Sequence, residues 1–587
     1  MEAHNVAEII ERDVVVIGSG AGGLTAALTA AVHGASTLVV EKAATIGGTT
    51  AYSEAMIWVP GSRQAKEAGV VDSDEDALEY IAAVARGKFD RKRMQAYIKS
   101  AATMLAFVEA NSLLKFTLAS KSMDYYPACP GATKGARSLS PGKFDGKRLG
   151  QNFKLIRPPL NSMRILGGMS ISGLDLPHFY NVGRSLKSTL VVFKLVTEYV
   201  LDRIKGWPRN TLIGNGEGVM AALYHGLVTH GGAVMTNTKA QRLVCDHSGR
   251  ASAIHVVRNQ KVVIIRARKA IILATGGFSA NAEMRQHYYP KEIKSTQYVQ
   301  LVCEGATGDG IAMAEAVGAA ISCEVDQPAA WAPTSYLEHK KAGFPHFLER
   351  AKPGVIIVGL DGKRFANEAM IYHDLVPAML KQAGVHGKGS GCWIIADHKA
   401  MRRYGLGAAP PWPAPISPSI NAGYLVKAKS LKDLAHRIGV DHLMLSHTVN
   451  QFNEAARNGV DPEFGRGVSP LDLAYGDPNH QPNPCLGPLD QAPFYAVRIG
   501  AGDLGSFVGL HTNSDAVVID KRGMPIDGLY AVGLDAATAM GGRYPAAGVT
   551  VGAAMTTGWI AATHALDERS KRTEMTCDKS NVVSKKG

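Results

Sequence analysis

Residues 13–23 read Asp-Val-Val-Val-Ile-Gly-Ser-Gly-Ala-Gly-Gly, and the interpretation of the rest of the chain starts there. The apolar run 13–17 reads as a short buried parallel strand. It ends in Gly18-Ser19-Gly20-Ala21-Gly22-Gly23, a GxGxxG pattern. Residues 24–33 are rich in Ala and Leu and read as a helix, and Thr37–Val40 reads as a second strand. The three pieces form a βαβ unit, whose crossover is expected to be right-handed. In such a unit Gly18 permits the tight turn, Gly20 lets a pyrophosphate approach the backbone, and Gly23 lets the helix pack closely. The free N–H groups at the helix start and their partial positive charge favour phosphate. Glu41 closes the second strand, 18 residues after Gly23, where a carboxylate can accept the ribose hydroxyls of an adenosine.

Further along, Lys42 leads into Gly47-Gly48-Thr49-Thr50-Ala51-Tyr52-Ser53. Small residues and hydroxyls directly after the acid suit FAD rather than NAD, with Gly48, Thr49, Thr50, Ala51 and Ser53 along the pyrophosphate and flavin. This loop has no histidine, so the FAD is expected to be non-covalent. Residues 270–274 form another apolar run, ending in Thr275-Gly276-Gly277. A third strand-to-glycine signal ends in Gly533-Leu534-Asp535, and an Ala/Gly/Thr-rich segment containing Val549 runs on to His564. Nucleotide-domain signals at both ends of the chain imply an α/β protein. Its Rossmann-type FAD-binding domain is discontinuous, covering 1–327 and 504–587, with an inserted α+β catalytic domain at 328–503.

The chain has 587 residues, too many for one small core. Its net charge of +13 admits anionic partners, but no nucleic-acid motif accompanies it. The seven cysteines form no CxxC pair, which suggests a reduced, cytoplasmic protein without a metal site or disulfide framework. Residues 1–12 lack the apolar core of a secretory signal. Residues 187–205 are amphipathic, with Leu190, Phe193, Val200 and Ile204 interleaved by Lys187, Lys194, Arg203 and Lys205. That stretch reads either as a helix packed on a core or partner, or as one lying on a membrane surface near the substrate entry.

Six motifs, in order, span nearly the whole chain. They are 47–60, Asp124-Tyr125-Tyr126-Pro127 with Gly135-Ala136-Arg137-Ser138, Thr307-Gly308-Asp309-Gly310, Arg364-Phe365-Ala366-Asn367-Glu368 with Tyr372, Asp503-Leu504-Gly505, and 541–548. Together they resemble the 3-ketosteroid Δ1-dehydrogenases of the fumarate reductase/succinate dehydrogenase flavoprotein superfamily. The resemblance implies FAD-dependent desaturation of a ring ketone, with electrons passing to an external acceptor such as a quinone, or a dye in vitro. It implies that Tyr544 and the Gly548 N–H hold the ketone oxygen, that Tyr372 takes the α proton, and that Tyr125 hydrogen-bonds that base. The flavin N5 would then take hydride from the β carbon. Two neutral donors on a developing enolate form an oxyanion hole. A tyrosine is a weak base at neutral pH, and a hydrogen bond from a neighbour would lower its pKa.

Three departures bear on the substrate: Glu54-Ala55-Met56 where small residues are expected, Gly542-Arg543 and Ala546-Ala547 around Tyr544, and about 45 extra residues between 160 and 208. A cyclohexanone-type ketone therefore stands beside the steroid. A fumarate-reductase-like enoate reductase would need arginines such as Arg364 and Arg543 to clamp carboxylates. An electron-transfer flavoprotein without a small-molecule pocket is the reading from another class.

Overall fold

The computed structural model describes residues 8–295, 298–386 and 391–583, with side chains for 8–294, 298–384 and 391–567. Residues 1–7, part of the segment read as lacking a secretory signal, and 584–587, the end of the 504–587 span, lie outside the described residues. The fold is mixed α/β.

The first layer is an eight-stranded sheet. Its parallel part runs in the order Ala233–Met235, Thr37–Val40, Glu8–Ile17, Lys261–Leu273, Pro525–Ala531. Val14, Val15 and Val16 are fully buried, as expected for a strand covered on both faces. The Lys261–Leu273 strand serves two partners on one edge. Its first half pairs with Ala251–Arg258 in an antiparallel meander, and its last residues pair with Leu529–Ala531. Helix Ala21–Val32 covers the sheet and crosses helix Val549–Val583 closely. A Cβ on Gly558 would lie 2.3 Å from the Gly22 carbonyl oxygen, so glycine sets that approach.

The second layer is a six-stranded antiparallel sheet of Ala342–Pro345, Ala329–Leu337, Phe494–Ser506, Cys392–Ala396, Val355–Val358 and Val426–Ala428. Helix Tyr372–His386 packs on its Ala329–Leu337 strand.

Helix Leu186–Ile204 occupies the stretch read as amphipathic. Tyr199, Asp202 and Ser188 face inward, where Tyr199 donates to the Leu166 carbonyl and Asp202 accepts from the Thr211 N–H and hydroxyl. Its large apolar residues face outward: Leu186, Leu190, Phe193, Val200, Leu201 and Ile204 are all exposed, Leu186 by 78% and Ile204 by 75%. Packing on a core of the same chain is therefore not what these residues do. Periodicity locates an apolar stripe but not the direction it faces. Among the described residues no helix is long and apolar enough to cross a membrane.

Candidate active site

The glycine turn opens on a cleft with about 880 Å³ of empty space. Gly18, Ser19, Gly20, Ala21, Gly22, Glu41, Lys42, Gly48, Thr49, Thr50, Thr275, Gly276, Gly533 and Leu534 line it. The glycines differ in why they are needed. Gly18 has φ +105°, and a Cβ there would sit 2.1 Å from the Ala274 carbonyl oxygen. A Cβ on Gly23 would sit 2.1 Å from the Gly18 carbonyl oxygen. These two are required by the protein's own packing. A Cβ on Gly20 would meet only Thr50 Oγ1, at 3.7 Å; one on Gly48 would meet only Gly20, and one on Gly276 nothing. Here the backbone lies bare along a groove that a side chain would fill, which suits a pyrophosphate laid against the main chain.

Several sequence-selected residues stand behind this lining. Asp535 accepts from the Thr275 N–H and hydroxyl and from the Gly277 N–H at 2.6–3.0 Å. Its buried carboxylate shapes the turn whose Thr275 and Gly276 line the cleft. Ser53 donates to the Thr50 carbonyl oxygen. Ala51 and Val549 are buried in the core. Glu41 lines the cleft but is already engaged, accepting from the Ser19 N–H and hydroxyl and from the Ala43 N–H. The Lys42 ammonium is held by Asp309 and Thr307, both at 2.7 Å. Arg157, Cys303, Thr238 and Asp309 also line the cleft, and sequence reading did not select them for it. Asp309 carried a signal, its place in Thr307-Gly308-Asp309-Gly310; the others carried none.

Gly533 and Leu534 also line a small neighbouring cavity with Phe507 and Thr550. Beyond it lies a cluster of tyrosines. The Tyr544 hydroxyl is 3.4 Å from Thr550 Oγ1. The Tyr125 and Tyr372 hydroxyls are 3.4 Å apart. Ring centroids are separated by 5.8 Å for Tyr125–Tyr372, 6.2 Å for Tyr125–Tyr544 and 5.5 Å for Tyr372–Tyr544. The three implied catalytic tyrosines thus meet, although they come from distant segments.

Each is fixed by its surroundings. The Pro545 carbonyl oxygen accepts from the Tyr125 N–H at 2.8 Å and from the Tyr80 hydroxyl at 2.6 Å, tying the Tyr125 loop to the Tyr544 loop. Asp124 accepts from Trp58 Nε1 and pairs with the buried Arg137. Tyr372 opens its helix, and His373 beside it spans Trp331 N–H and the Gly542 carbonyl oxygen. Burial holds His373 neutral, with its pKa lowered to about 3. Tyr126 points away from the cluster and donates to Asp374 at 2.9 Å. Gly548 has φ +90°, and a Cβ there would lie 2.6 Å from Ile57 N. Its N–H has no acceptor among the described residues.

Burial pushes the hydroxyls of Tyr125, Tyr372 and Tyr544 above the ordinary range, Tyr125 and Tyr372 furthest. The Tyr125–Tyr372 bond raises Tyr372 and lowers Tyr125. Either hydroxyl can donate in that bond. A fourth tyrosine, Tyr475, packs against the core that holds these tyrosines and sits in the field of the buried Arg350. Nothing in its local sequence pointed to the site.

The two arginines considered as carboxylate clamps are already paired. Arg543 binds Asp326 at 2.9 Å. Arg364 binds Glu368 and Asp461 in a buried network.

The family model described as an FAD binding domain matches residues 13–551. A 4-oxocyclohex-2-ene-1-carboxylate 5-dehydrogenase of Sinomonas cyclohexanicum is 37% identical, over 94% of this chain and 93% of its own. A 3-oxosteroid 1-dehydrogenase of Mycolicibacterium smegmatis is 36% identical, over 94% and 96%. The chain belongs to the 3-ketosteroid Δ1-dehydrogenase-like flavoproteins. A crystal structure of 3-ketosteroid Δ1-dehydrogenase from Sterolibacterium denitrificans, in complex with 1,4-androstadiene-3,17-dione, matches with a TM-score of 0.87 and 34% identity. The match covers 95% of this chain and 100% of that one. A member of this family is an FAD-dependent oxidoreductase acting on CH–CH groups, and its cofactor is FAD.

Proposed function

We propose that this flavoprotein desaturates a ring ketone next to its carbonyl, and that a 3-ketosteroid, dehydrogenated at C1–C2, is its substrate. The observation that carries the reading is the convergence of Tyr544, Tyr372 and Tyr125 beside a Gly548 N–H that lacks an acceptor among the described residues. Tyr544 O–H and Gly548 N–H are two neutral donors, suited to a ketone oxygen on which enolate charge develops. Tyr372 receives the α proton, and Tyr125 holds the Tyr372 oxygen in place. FAD, when bound, supplies the two-electron acceptor for the β hydrogen that no side chain offers. Gly18, Gly20, Gly48, Thr49, Thr50 and Gly276 would hold its pyrophosphate and flavin, and Glu41 the ribose. An external quinone-type acceptor completes turnover. The relatives support both a steroid and a smaller cyclohexanone-type ring, and the engaged states of Arg364 and Arg543 favour either over a dicarboxylate.

In this reading 1–327 with 504–587 is a Rossmann-type FAD-binding unit, 328–503 a catalytic unit of α+β type, and the tyrosines are drawn from both. Helix Leu186–Ile204 lays its apolar stripe on the anionic surface of a lipid layer, with Lys187, Lys194, Arg203 and Lys205 at its border. The protein is then cytoplasmic and peripheral to the membrane.

A dye-coupled assay with a 3-keto-4-ene steroid, an A-ring-saturated 3-ketosteroid, cyclohexanone and fumarate tests the substrate class. Turnover of at least one ring ketone and none of fumarate is expected; the reverse overturns the reading. Binding to anionic liposomes that weakens with salt and with Lys194→Glu tests the surface. Salt-insensitive self-association through the same face would replace the lipid by a second copy.

A further inference from the structure

A second cavity lies beside the cofactor cleft, and Arg157 lines both. Its volume is about 640 Å³, within the roughly 300–1,000 Å³ of small-molecule sites. One wall is the start of the extra segment, with Asn161 and Arg164. That wall is pinned to the second layer, because the Ser162 hydroxyl donates to the Gly343 carbonyl oxygen and the Lys340 ammonium to the Arg164 carbonyl oxygen. The turn at Lys341 and helix Ala282–Tyr288, through Arg285, complete the basic lining.

Four cations share this cavity, Arg157, Arg164, Arg285 and Lys341, against one acid, Glu304. None of the four forms an ion pair among the described residues. The contrast with the rest of the interior is sharp: Arg137 is neutralised by Asp72 and Asp124, Arg209 by Glu217, and Arg364 by Glu368 and Asp461. The Nε atoms of Arg157 and Arg164 are buried and have no hydrogen-bond partner among the described residues. A buried guanidinium N–H is costly unless an acceptor meets it.

Two of the guanidinium groups are held by aromatic rings. Arg157 lies over Tyr52, 5.8 Å from the ring centroid, and Arg285 over Tyr298 at 4.5 Å. Such stacking fixes the guanidinium plane and leaves its N–H edge free to bind. Arg157 uses one N–H on the Tyr52 hydroxyl, and Arg285 one on the Ser279 carbonyl oxygen. Like charges gathered without carboxylates repel, and an oxyanion relieves that repulsion while accepting the unmet N–H groups. Four cations against one acid leave more positive charge than a single carboxylate offsets.

We propose that this cavity is a second ligand site, which takes a small molecule carrying a multiply charged oxyanion, a phosphate or a dicarboxylate, beside the cofactor cleft.

The test is calorimetric titration of FAD-saturated protein with inorganic pyrophosphate, ADP and succinate at low ionic strength. Saturation with FAD matters because ADP is a fragment of that cofactor and must not enter its cleft. At least one probe should bind with one-to-one stoichiometry, and more weakly as salt is raised. Tighter binding of pyrophosphate or ADP assigns a phosphate; tighter binding of succinate assigns a dicarboxylate. Arg164→Gln should weaken the binding by about 10-fold or more and keep the flavin, and Arg164→Lys should lose less. Lys341→Gln, at an exposed position where folding is not at stake, should weaken it by about three-fold. Saturable binding of none of the probes, binding of ADP by flavin-depleted protein only, or an affinity unchanged in both Arg164→Gln and Lys341→Gln overturns the assignment.

Discussion

The cofactor cleft and the tyrosine cluster adjoin, yet they are built by opposite means. The cleft is made of main chain, with bare stretches at Gly20, Gly48 and Gly276 and turns held by internal hydrogen bonds. The cluster is made of side chains brought from four distant segments, Tyr125, Tyr372, Tyr475 and Tyr544. A site made of backbone imposes local constraints, and local constraints are written contiguously in the sequence. A site made by tertiary contact leaves no such trace, because each tyrosine alone resembles a packing residue.

The comparison breaks most sharply at two glycines. Valine at Gly18 would set a carbon against the Ala274 carbonyl oxygen and force a β-branched residue to φ +105°. Gly18→Val should yield no soluble folded protein. Gly20 has φ −73° and ψ −176°, which any residue adopts, and its Cβ direction opens into the cleft. Gly20→Val should therefore fold, with a circular dichroism spectrum like the parent's, and emerge colourless. If Gly20→Val keeps its yellow flavin, the bare-backbone account of the cleft is wrong.

The tyrosines should behave in the converse way, with the flavin kept and the chemistry lost. Tyr544→Phe removes one of two donors to the ketone oxygen and should lower kcat by roughly 100–1000-fold. Tyr372→Phe removes the base and should cost at least ~100-fold. Both variants should photoreduce like the parent. Turnover of either within a few-fold of the parent would remove that residue from the chemistry.

How much was legible follows from the same contrast. The strand, turn and helix at 13–33 follow from apolar run, glycine spacing and helix formers, and Glu8–Ile17 with Ala21–Val32 occupies that stretch. The choice of Tyr125 over Tyr126 came from resemblance alone, and the physical reason appears only in three dimensions, where Tyr126 is drawn to Asp374. The bonds of Asp535 to the Thr275–Gly277 turn were not legible, because an acid after a strand-end glycine looks the same whether it faces a ligand or a turn. Tyr475 was missed because it ends a short helix, Pro470–Tyr475, in a segment that carries none of the motifs read from the sequence. The outward face of Leu186–Ile204 was undecidable, since periodicity carries no sign.

Protonation gives a smaller effect. Burial first, then the neighbouring tyrosines, place Tyr372 well above the ordinary tyrosine range. Its anionic fraction at neutral pH is therefore small and grows with pH. If proton transfer to that anion limits turnover, kcat should rise by about ten-fold per pH unit on the alkaline side of neutrality, without reaching a plateau below pH ~10. Under the same conditions flavin photoreduction should not change. A bell-shaped profile centred near pH 7 would point to a base other than Tyr372.

The smallest effect is expected at the residue next to the cluster. Tyr125 and Tyr126 are adjacent in sequence and nearly equal in local signal, but their hydroxyls have different partners. Tyr125 meets Tyr372, and Tyr126 donates to Asp374, which also lies 3.8 Å from Arg543. Tyr126→Phe leaves that carboxylate beside its arginine, so the loss is one hydrogen bond to a charged group, worth about 1.5–3 kcal/mol of stability at most. Turnover should stay within about three-fold of the parent, because no reacting atom touches that hydroxyl in the proposed arrangement. Tyr125→Phe removes the hydrogen bond that orients the base and should lower kcat by about ten-fold or more, a smaller loss than at Tyr372. The pair is read most directly as the ratio of kcat to thermal midpoint shift: Tyr126→Phe should move the midpoint and spare kcat, and Tyr125→Phe should lower kcat out of proportion to any shift. Equal losses of kcat in the two variants would mean that the loop at 124–127 acts as a rigid whole, and Tyr125 would lose its separate role as the partner of the base.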